Sequence, residues 1–357
     1  MISNRRLKIA ISGLGRIAWD YHIPTILRHP QFELTAVADP LEERRQEAVR
    51  RFGVQAVYAD VAAMLAADKP DLLVIASPTC FHMEQTMAAF KAGIDVICEK
   101  PLAGKAAEAL RMVDAMKHYR RRLMVYQPHR LTGEAVALKQ ILASGMLGRV
   151  VMVRRTNNNF SRRDDWQAFA AYGGGMLNNY GSHYLDQFIY LFGGNMKTIN
   201  AVTRCLVSCG DAEDFVKLLA VNGRDVTFDL EINMASAFES ESWEVYGLCG
   251  SARLEKHRWL VRYFQPGKLK PLSAQTGFAA AGRSYPYEAD IPWQEQFFPC
   301  SNVGLPGFYD YCYRYFALDE APLIPVENSM EVMRLLEQCR PPARAEDPAV
   351  QEGCPAK

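Results

Sequence analysis

A glycine-rich turn near the start of the chain constrains the fold more than any other feature of the sequence. The apolar run 8–12 leads into GLGRIA at residues 13–18, the pattern G-x-G-x-x-A between a strand and a helix. Gly13 permits the tight turn, Gly15 lets the backbone approach a pyrophosphate, and Ala18 lets the helix pack closely on the strand. The helix N-terminus favours the phosphate charge. The turn therefore predicts a dinucleotide-binding site.

An acidic residue ends the second apolar run, about 20 residues after the glycines, where such sites hold the adenosine ribose. This residue is Asp39, in AVADP. Its carboxylate would accept hydrogen bonds from the ribose hydroxyls and repel a 2′-phosphate, which favours NAD over NADP. Arg44 and Arg45 keep NADP as an alternative, because an arginine there could pair with a 2′-phosphate. A plain turn at a helix start is the other interpretation of Asp39.

The first part of the chain alternates strand and helix. Short apolar runs, typical of strands buried on both faces, lie at 8–12, 32–38, 72–75, 96–98 and 123–126. Amphipathic segments at 41–52, 81–91 and 105–119 lie between them. This order predicts βαβ units in a parallel sheet with right-handed crossovers. We expect residues 1–128 to form the N-terminal Rossmann dinucleotide-binding domain of an α/β protein.

The pattern changes from about residue 130. Helices are predicted at 134–144, 176–192, 308–318 and 330–339, and a polar and aromatic loop at 157–172. Strands are predicted at 150–156, 198–207, 215–221, 226–234 and 242–248, and the 226–234 segment alternates apolar and polar residues, as a half-buried strand does. We expect residues 129–340 to form an α+β domain with a mostly antiparallel open sheet, one face of which packs on another subunit of a homodimer or homotetramer. The tail 341–357, rich in Pro, Ala and charge, is expected to be disordered.

Two segments carry the residue types that proton transfer needs. GGGMLNNYGSHYLD, at residues 173–186, leads three glycines into a helix with Asn179, His183 and Asp186 on one face. Lys100 follows Glu99 at the carboxyl end of a parallel strand, where ligands bind in such sheets. The alternatives are a surface ion pair for Glu99 and Lys100, and a helical pair between His183 and Asp186.

Composition excludes several classes of partner. The chain has 357 residues, a net charge of +1, 49% hydrophobic and 23% charged residues. The near-neutral charge gives no case for nucleic acid or a membrane surface, and no apolar run approaches the roughly 18 residues of a membrane helix. The nine cysteines are scattered without metal-ligand spacing. We expect no metal site, no signal peptide and a reducing cytoplasmic setting.

The chain resembles the Gfo/Idh/MocA oxidoreductase family from Leu7 to about Arg340. The segments that carry the resemblance are GLGRIA, AVADP, ASPTCFH, EKP, QPHR and the GGG…H…D stretch. The resemblance implies a cofactor site, with the glycine turn at the pyrophosphate, Asp39 at the ribose and the EKP pair near the nicotinamide. Its residues are Gly13, Gly15, Arg16, Ile17, Ala18, Asp39, Ser77, Pro78, His82, Glu99, Lys100 and Gln127.

The resemblance also implies a substrate side formed by Arg130, Asn179, Tyr180 and His183, with Lys100 and His183 handling the hydroxyl proton. Trp166, in the 157–172 loop, is expected to cover the site, with an ordinary surface loop as the alternative. One position departs from the family, which usually has an aspartate four residues before the histidine, where this chain has Asn179. An amide can orient a substrate but cannot move a proton.

These features predict an NAD(P)-dependent oxidoreductase that transfers hydride between the nicotinamide and a secondary alcohol or carbonyl of a sugar, polyol or related small molecule. Two alternatives keep the same fold. One is an NAD-dependent glycosidase that oxidises its sugar transiently, and the other is a non-catalytic sensor of NAD(P).

Overall fold

The computed structural model describes residues 5–269, 271–272, 274, 291–301 and 307–340. It contains a six-stranded and an eight-stranded sheet, each with helices packed on it. The predicted tail 341–357 and most of the segment 270–290 lie outside the described residues. In the described part of the chain, no helix is long and apolar enough to cross a membrane.

The six-stranded sheet is parallel, with the order β3-β2-β1-β4-β5-β6. Its strands are β1 (Leu7–Ser12), β2 (Phe32–Ala38), β3 (Ala56–Tyr58), β4 (Leu72–Ile75), β5 (Asp95–Glu99) and β6 (Leu123–Tyr126). Both faces of β4 and β6 are fully buried, which explains their unbroken apolar sequences. The predicted Rossmann domain is confirmed. The strand β3 has only three residues, and the apolar pattern of the sequence does not predict it.

Five helices accompany this sheet: α1 (Ile23–Arg28), α2 (Glu42–Phe52), α3 (Val61–Ala67), α4 (His82–Lys91) and α5 (Ala106–His118). The helix after the glycine turn begins as a π-helical turn, Ala18–His22, before α1 continues it. The short helix α3, which the sequence pattern did not predict, is capped at its N-terminus by Asp60, whose side chain accepts a hydrogen bond from the backbone N–H of Ala63 at 2.7 Å.

The eight-stranded sheet has the order β14-β13-β12-β11-β7-β10-β9-β8. Its strands are β7 (Val150–Phe160), β8 (Thr198–Arg204), β9 (Phe215–Val221), β10 (Thr227–Asn233), β11 (Ala235–Gly247), β12 (Gly250–Glu255), β13 (Arg258–Tyr263) and β14 (Gln294–Pro299). Among the described strands of this sheet, only β7 and β10 pair in parallel, so the sheet is mostly antiparallel, as expected. The predicted loop 157–172 is wrong for residues 157–160, which extend β7 because β10 and β11 pair with both of its edges.

One face of this sheet is covered by helix α7 (Ser182–Phe192), where Phe188 stacks on Phe228 with ring centroids 4.5 Å apart. Helix α6 (Gly133–Ala143) lies against β13 and β14. The late helices α8 (Gly307–Leu318) and α9 (Val326–Gln338) return to the first sheet. In α8, Tyr309 packs edge-on against Phe32 of β2 at 5.5 Å. Part of the range 129–340 therefore packs on the Rossmann domain and joins the two halves.

The opposite face of the eight-stranded sheet carries a continuous row across the strands. The pairing register places Asn200, Leu219, Asp229, Arg154, Glu244, Arg253, Leu260 and Phe297 along it. Its centre holds ion pairs from Arg154 to Asp229 and Glu244, and the exposed apolar side chains of Leu219 and Phe297 lie toward its two ends. The expectation that this face contacts a second subunit stays a prediction.

Candidate active site

The glycine turn has the shape that its sequence predicts. Gly13 has φ +89°, and a Cβ there would lie 2.6 Å from the backbone nitrogen of Ser77, so only glycine fits. A Cβ on Gly15 would meet nothing within 4 Å. The turn is therefore closed against β4 at Gly13 and has free space beside Gly15. Arg16 is exposed, Ile17 is partly buried and Ala18 is fully buried in the core.

Asp39 is buried at the end of β2, with 3% of its surface exposed. One carboxylate oxygen accepts a hydrogen bond from Leu14 N at 2.8 Å, and the other accepts one from Leu41 N at 2.9 Å. These bonds tie the second strand to the glycine turn. Arg44 lies 3.6 Å away, whereas the guanidinium of Arg45 binds the backbone oxygens of residues 39 and 40.

The segment after β4 lies beside the glycine turn. Ser77 donates from Oγ to Gln85 at 2.9 Å, and Pro78 begins a short 3-10 turn. His82 is buried, and its two ring nitrogens each lie 3.0 Å from a backbone oxygen, those of Ser77 and Pro101. Both ring nitrogens therefore have protein partners, and the expected cofactor contact of His82 stays a prediction. The side chain joins the turn after β4 to the loop after β5.

Glu99 belongs to a buried network that the sequence pattern did not predict. Its Oε1 lies 3.0 Å from Nε2 of His22, whose Nδ1 lies 2.7 Å from the hydroxyl of Tyr309 in α8. Its Oε2 accepts a hydrogen bond from the backbone nitrogen of Lys100 at 3.1 Å. His22 and Tyr309 are fully buried. The backbone that presents Lys100 is therefore held by three different elements, and Glu99 is not part of a surface ion pair.

Lys100 reaches the first turn of the helix after the three glycines. Its Nζ donates to the backbone oxygen of Asn179 at 2.8 Å and to Oδ1 of Asn179 at 3.1 Å. Burial, opposed by the charge of Glu99 and assisted by the charges of Arg16 and Arg163, lowers the pKa of Lys100 to about 8. The residues 177–181 form a π-helical turn, a feature frequent at functional sites.

His183 is buried on the same helix, and Gln127 determines its tautomer. Gln127 donates from Nε2 to the backbone oxygen of Ser182 at 3.3 Å, which turns Oε1 toward His183 Nδ1 at 2.7 Å. Nδ1 therefore carries the hydrogen. Within the described residues, Nε2 has no hydrogen-bond partner from the protein. Burial, reinforced by His129 and Lys100, holds the pKa of His183 well below its usual value. Gln127 thus binds His183, and its expected cofactor contact stays a prediction.

Arg130 and Asp186 form a buried bidentate ion pair, with Nε and Nη2 of Arg130 each 2.7 Å from a carboxylate oxygen. Both side chains are 1% exposed. Arg130 also donates to the backbone oxygen of Leu323 at 2.9 Å. The guanidinium of Arg130 is enclosed by protein partners, and the expectation that it binds substrate stays a prediction. The alternative pair between His183 and Asp186 is wrong, since each has another partner.

The loop 161–172 packs on the turn formed by the three glycines at residues 173–175. Trp166 is 38% exposed and begins a 3-10 turn, but the neighbouring Gln167 makes the contacts to the site. Gln167 accepts from Gly175 N at 2.9 Å through its backbone oxygen, and its Oε1 lies 3.5 Å from Nδ2 of Asn179. Tyr180 is partly buried, and its ring stacks loosely on Tyr184, with centroids 6.2 Å apart.

Two profile matches cover most of this architecture. Residues 7–127 match the family model described as an oxidoreductase family with an NAD-binding Rossmann fold. Residues 135–253 match the model of the GFO/IDH/MocA C-terminal domain. The chain belongs to the Gfo/Idh/MocA oxidoreductase family.

Several Gfo/Idh/MocA proteins are similar to this chain. D-glucoside 3-dehydrogenase of Escherichia coli is 32% identical over 199 residues, which are 55% of this chain and 57% of that protein. Inositol 2-dehydrogenase of Streptomyces avermitilis is 33% identical over 199 residues, 55% and 56% of the two chains. The chain thus spans slightly more than half the length of these relatives. The WlbA dehydrogenase of Bordetella pertussis, solved with NADH and UDP-GlcNAcA, shares the fold with a TM-score of 0.75 at 23% identity, over 93% of this chain and 95% of that one.

The geometry of the glycine turn at residues 13–18 suits NAD, the cofactor of the Gfo/Idh/MocA family. The free space at Gly15 is where a pyrophosphate could approach the backbone. Each oxygen of Asp39 accepts one backbone hydrogen bond, and a carboxylate offers about four acceptor sites, so capacity for ribose hydroxyls is left. Among the residues that the structure describes, no group of three or more His, Cys, Asp or Glu side chains is placed to hold a metal ion.

Proposed function

We propose that this protein is an NAD-dependent oxidoreductase that interconverts a secondary alcohol and a carbonyl on a sugar, a polyol or a related hydroxylated molecule. The observation that carries the proposal is that Lys100 and His183 lie near each other where the two halves of the chain join. Burial lowers the pKa of both side chains. Lys100 can then accept or return the hydroxyl proton near neutral pH, and the neutral imidazole of His183 can hydrogen-bond to the same hydroxyl.

Lys100 is our candidate for the base. With a pKa of about 8, roughly one-tenth of it is uncharged at pH 7. The neutral amine would take the proton of the substrate hydroxyl during oxidation, and the ammonium would return it during reduction. Asn179 holds the amine through two oxygens, and its amide carries no charge to trap the protonated form.

His183 is our candidate for the second contact to the same hydroxyl. Because Gln127 holds the hydrogen on Nδ1, the Nε2 lone pair can accept a hydrogen bond from the hydroxyl. When bound, the nicotinamide supplies the hydride acceptor or donor. We propose that the turn at residues 13–18, Asp39, Ser77 and Pro78 hold the cofactor, and that Asn179, Tyr180 and Trp166 border the substrate.

The substrate class rests on the relatives that act on sugars and polyols, D-glucoside 3-dehydrogenase and inositol 2-dehydrogenase. NAD is preferred because the carboxylate of Asp39 occupies the ribose end of the turn, and NADP stays the second candidate because Arg44 is near.

Cys98 and Cys312 are buried as ordinary core side chains, which supports a reducing cytoplasmic setting. The apolar ends of the outer sheet face support a homodimer or homotetramer, measurable by analytical ultracentrifugation.

The test is a panel of sugars and polyols with NAD and with NADP, followed by NADH or NADPH absorbance. We expect turnover with NAD on at least one member. Lys100→Ala or His183→Ala should lower turnover at least about 100-fold while NADH still binds, and Lys91→Ala on the exposed end of α4 is the matched control. Near-normal turnover in both site variants would refute the roles. Cleavage of aryl glycosides without NADH accumulation would indicate the glycosidase, and cofactor binding without any turnover would indicate the sensor.

A further inference from the structure

A second histidine lies against His183. The ring of His129 stacks on that of His183, with centroids 3.7 Å apart and planes inclined by only 14°. His129 belongs to the short 3-10 turn after β6, Pro128–Leu131, whereas His183 lies on α7. The family resemblance pointed to Arg130 in the QPHR segment. The residue that lies beside the proposed proton-transfer site is its neighbour in the chain, His129.

The stacked pair is held at two points by glutamines. Gln127 accepts from His183 Nδ1 at 2.7 Å, and Gln187 donates from Nε2 to the backbone oxygen of His129 at 2.7 Å. Gln187 lies four residues after His183, one turn along the same face of α7. The turn and the helix are therefore fastened together on both sides of the rings, so the stacking is a rigid feature of the interface.

The charges that face this pair are cationic. Lys100 from the end of β5 acts on both imidazoles, and Arg155 from β7 acts on His129. The neighbouring groups of α7 and its first turn, Asn179 and Tyr184, are uncharged, and Asp186 is paired with Arg130. No carboxylate among the described residues hydrogen-bonds either ring. Burial therefore lowers the pKa of His129 to about 4 and that of His183 well below its usual value.

We propose that His129 is a positioning residue for His183, whose stacked ring fixes the plane of the His183 imidazole and excludes water from one of its faces. A planar stacking partner keeps His183 buried and uncharged, with the Nε2 lone pair held in one direction. The imidazole of His129 itself makes no contact to substrate in this assignment. Its kinetic consequence rests on the proposed function, whereas its effect on the protonation of His183 does not.

The test compares His129→Phe, which keeps a flat ring, with His129→Ala, which removes it. Nitrogen-15 NMR on the full-length, cofactor-free protein follows the protonation and tautomer of His183, with His183→Ala used to assign the signals. In the wild type and in His129→Phe, His183 should stay neutral with the hydrogen on Nδ1 throughout the neutral range. In His129→Ala, water reaches the ring, and the pKa of His183 should rise toward the ordinary value of about 6.5.

Kinetics then separate positioning from direct contact. If the parent enzyme turns over, kcat should fall about tenfold in His129→Ala, mostly on the acidic side, and should largely recover in His129→Phe, with KM little changed in both. Equal losses in both variants with an unchanged His183 titration would overturn the proposal, because the imidazole itself would then contact the substrate. The same His183 titration in all three proteins would also overturn it. The NMR comparison decides the matter even if no substrate is found. If His129→Ala does not fold, a His183 titration that shifts in His129→Phe, although the flat ring is kept, overturns the proposal.

Discussion

Lys100 donates hydrogen bonds to two oxygens of a single residue, Asn179, at 2.8 Å to the backbone oxygen and 3.1 Å to Oδ1. An aspartate, the usual residue of the family at this position, would stabilise the ammonium by its charge. The amide binds the amine without that stabilisation, so burial dominates and lowers the pKa of Lys100 to about 8. The substitution that departs from the family pattern thus bears on the protonation of the proposed base.

Asn179→Asp should raise the pKa of Lys100 by roughly 1 unit or more, because a carboxylate about 3 Å away favours the charged amine. Since oxidation needs the neutral amine, the pH at which kcat/KM reaches half its plateau should move upward by the same amount, and the rate at pH 7 should fall. The pH dependence of kcat/KM measures this. Asn179→Ser adds no charge and is the control. A profile that does not move in Asn179→Asp would show that Lys100 is not the titrating base.

Asp186→Asn should destabilise the fold by about 3–5 kcal/mol, because it leaves the buried guanidinium of Arg130 without its counter-charge. Urea unfolding followed by circular dichroism gives the free energy. Lys197→Gln, which breaks the exposed pair with Asp225, is the control and should cost about 1 kcal/mol or less. Comparable losses in the two variants would mean that the Arg130–Asp186 pair is not a structural element of the core.

Asp39→Ala should weaken NADH binding at least about tenfold, since it removes acceptors for Leu14 N, Leu41 N and the ribose. It should also narrow the preference for NADH over NADPH, because the carboxylate that repels a 2′-phosphate is gone while Arg44 is retained. Fluorescence titration with each cofactor measures both effects. Glu43→Ala removes an exposed carboxylate of α2 as the control. An unchanged NADH affinity would exclude Asp39 from the cofactor site.

Gly173→Ala should destabilise the protein by more than Gly53→Ala. Both glycines have positive φ, +80° and +72°, so both substitutions carry a backbone cost of about 1–2 kcal/mol. Only at Gly173 would the new Cβ also lie 2.7 Å from Cβ of Thr79, across the contact between the two halves, whereas Gly53 has nothing within 4 Å. Thermal unfolding compares them. Equal shifts would indicate that the contact between Gly173 and Thr79 relaxes without cost.

Secondary structure was predictable where the pattern of apolar residues along a strand reflects its burial. The unbroken apolar run of β4 indicates that both of its faces are buried, and the alternation along β10 indicates that one face is buried. The three residues of β3 and the last residues of β7 were not predictable in this way. Polar residues 157–159 are in a strand because β10 and β11 supply hydrogen-bond partners on both sides, which is a property of the assembled sheet.

The sequence by itself determined the cofactor turn and the residue types near the proposed chemistry, because GLGRIA and the GGG…H…D stretch act through local geometry. Only the tertiary structure decided the partners. Gln127 and His183 are 56 residues apart in the chain, as are Arg130 and Asp186, and both pairs form only where the turn after β6 packs against α7. A side chain that shares a helix face with a site residue can therefore be a buried structural partner, and packing alone distinguishes the two.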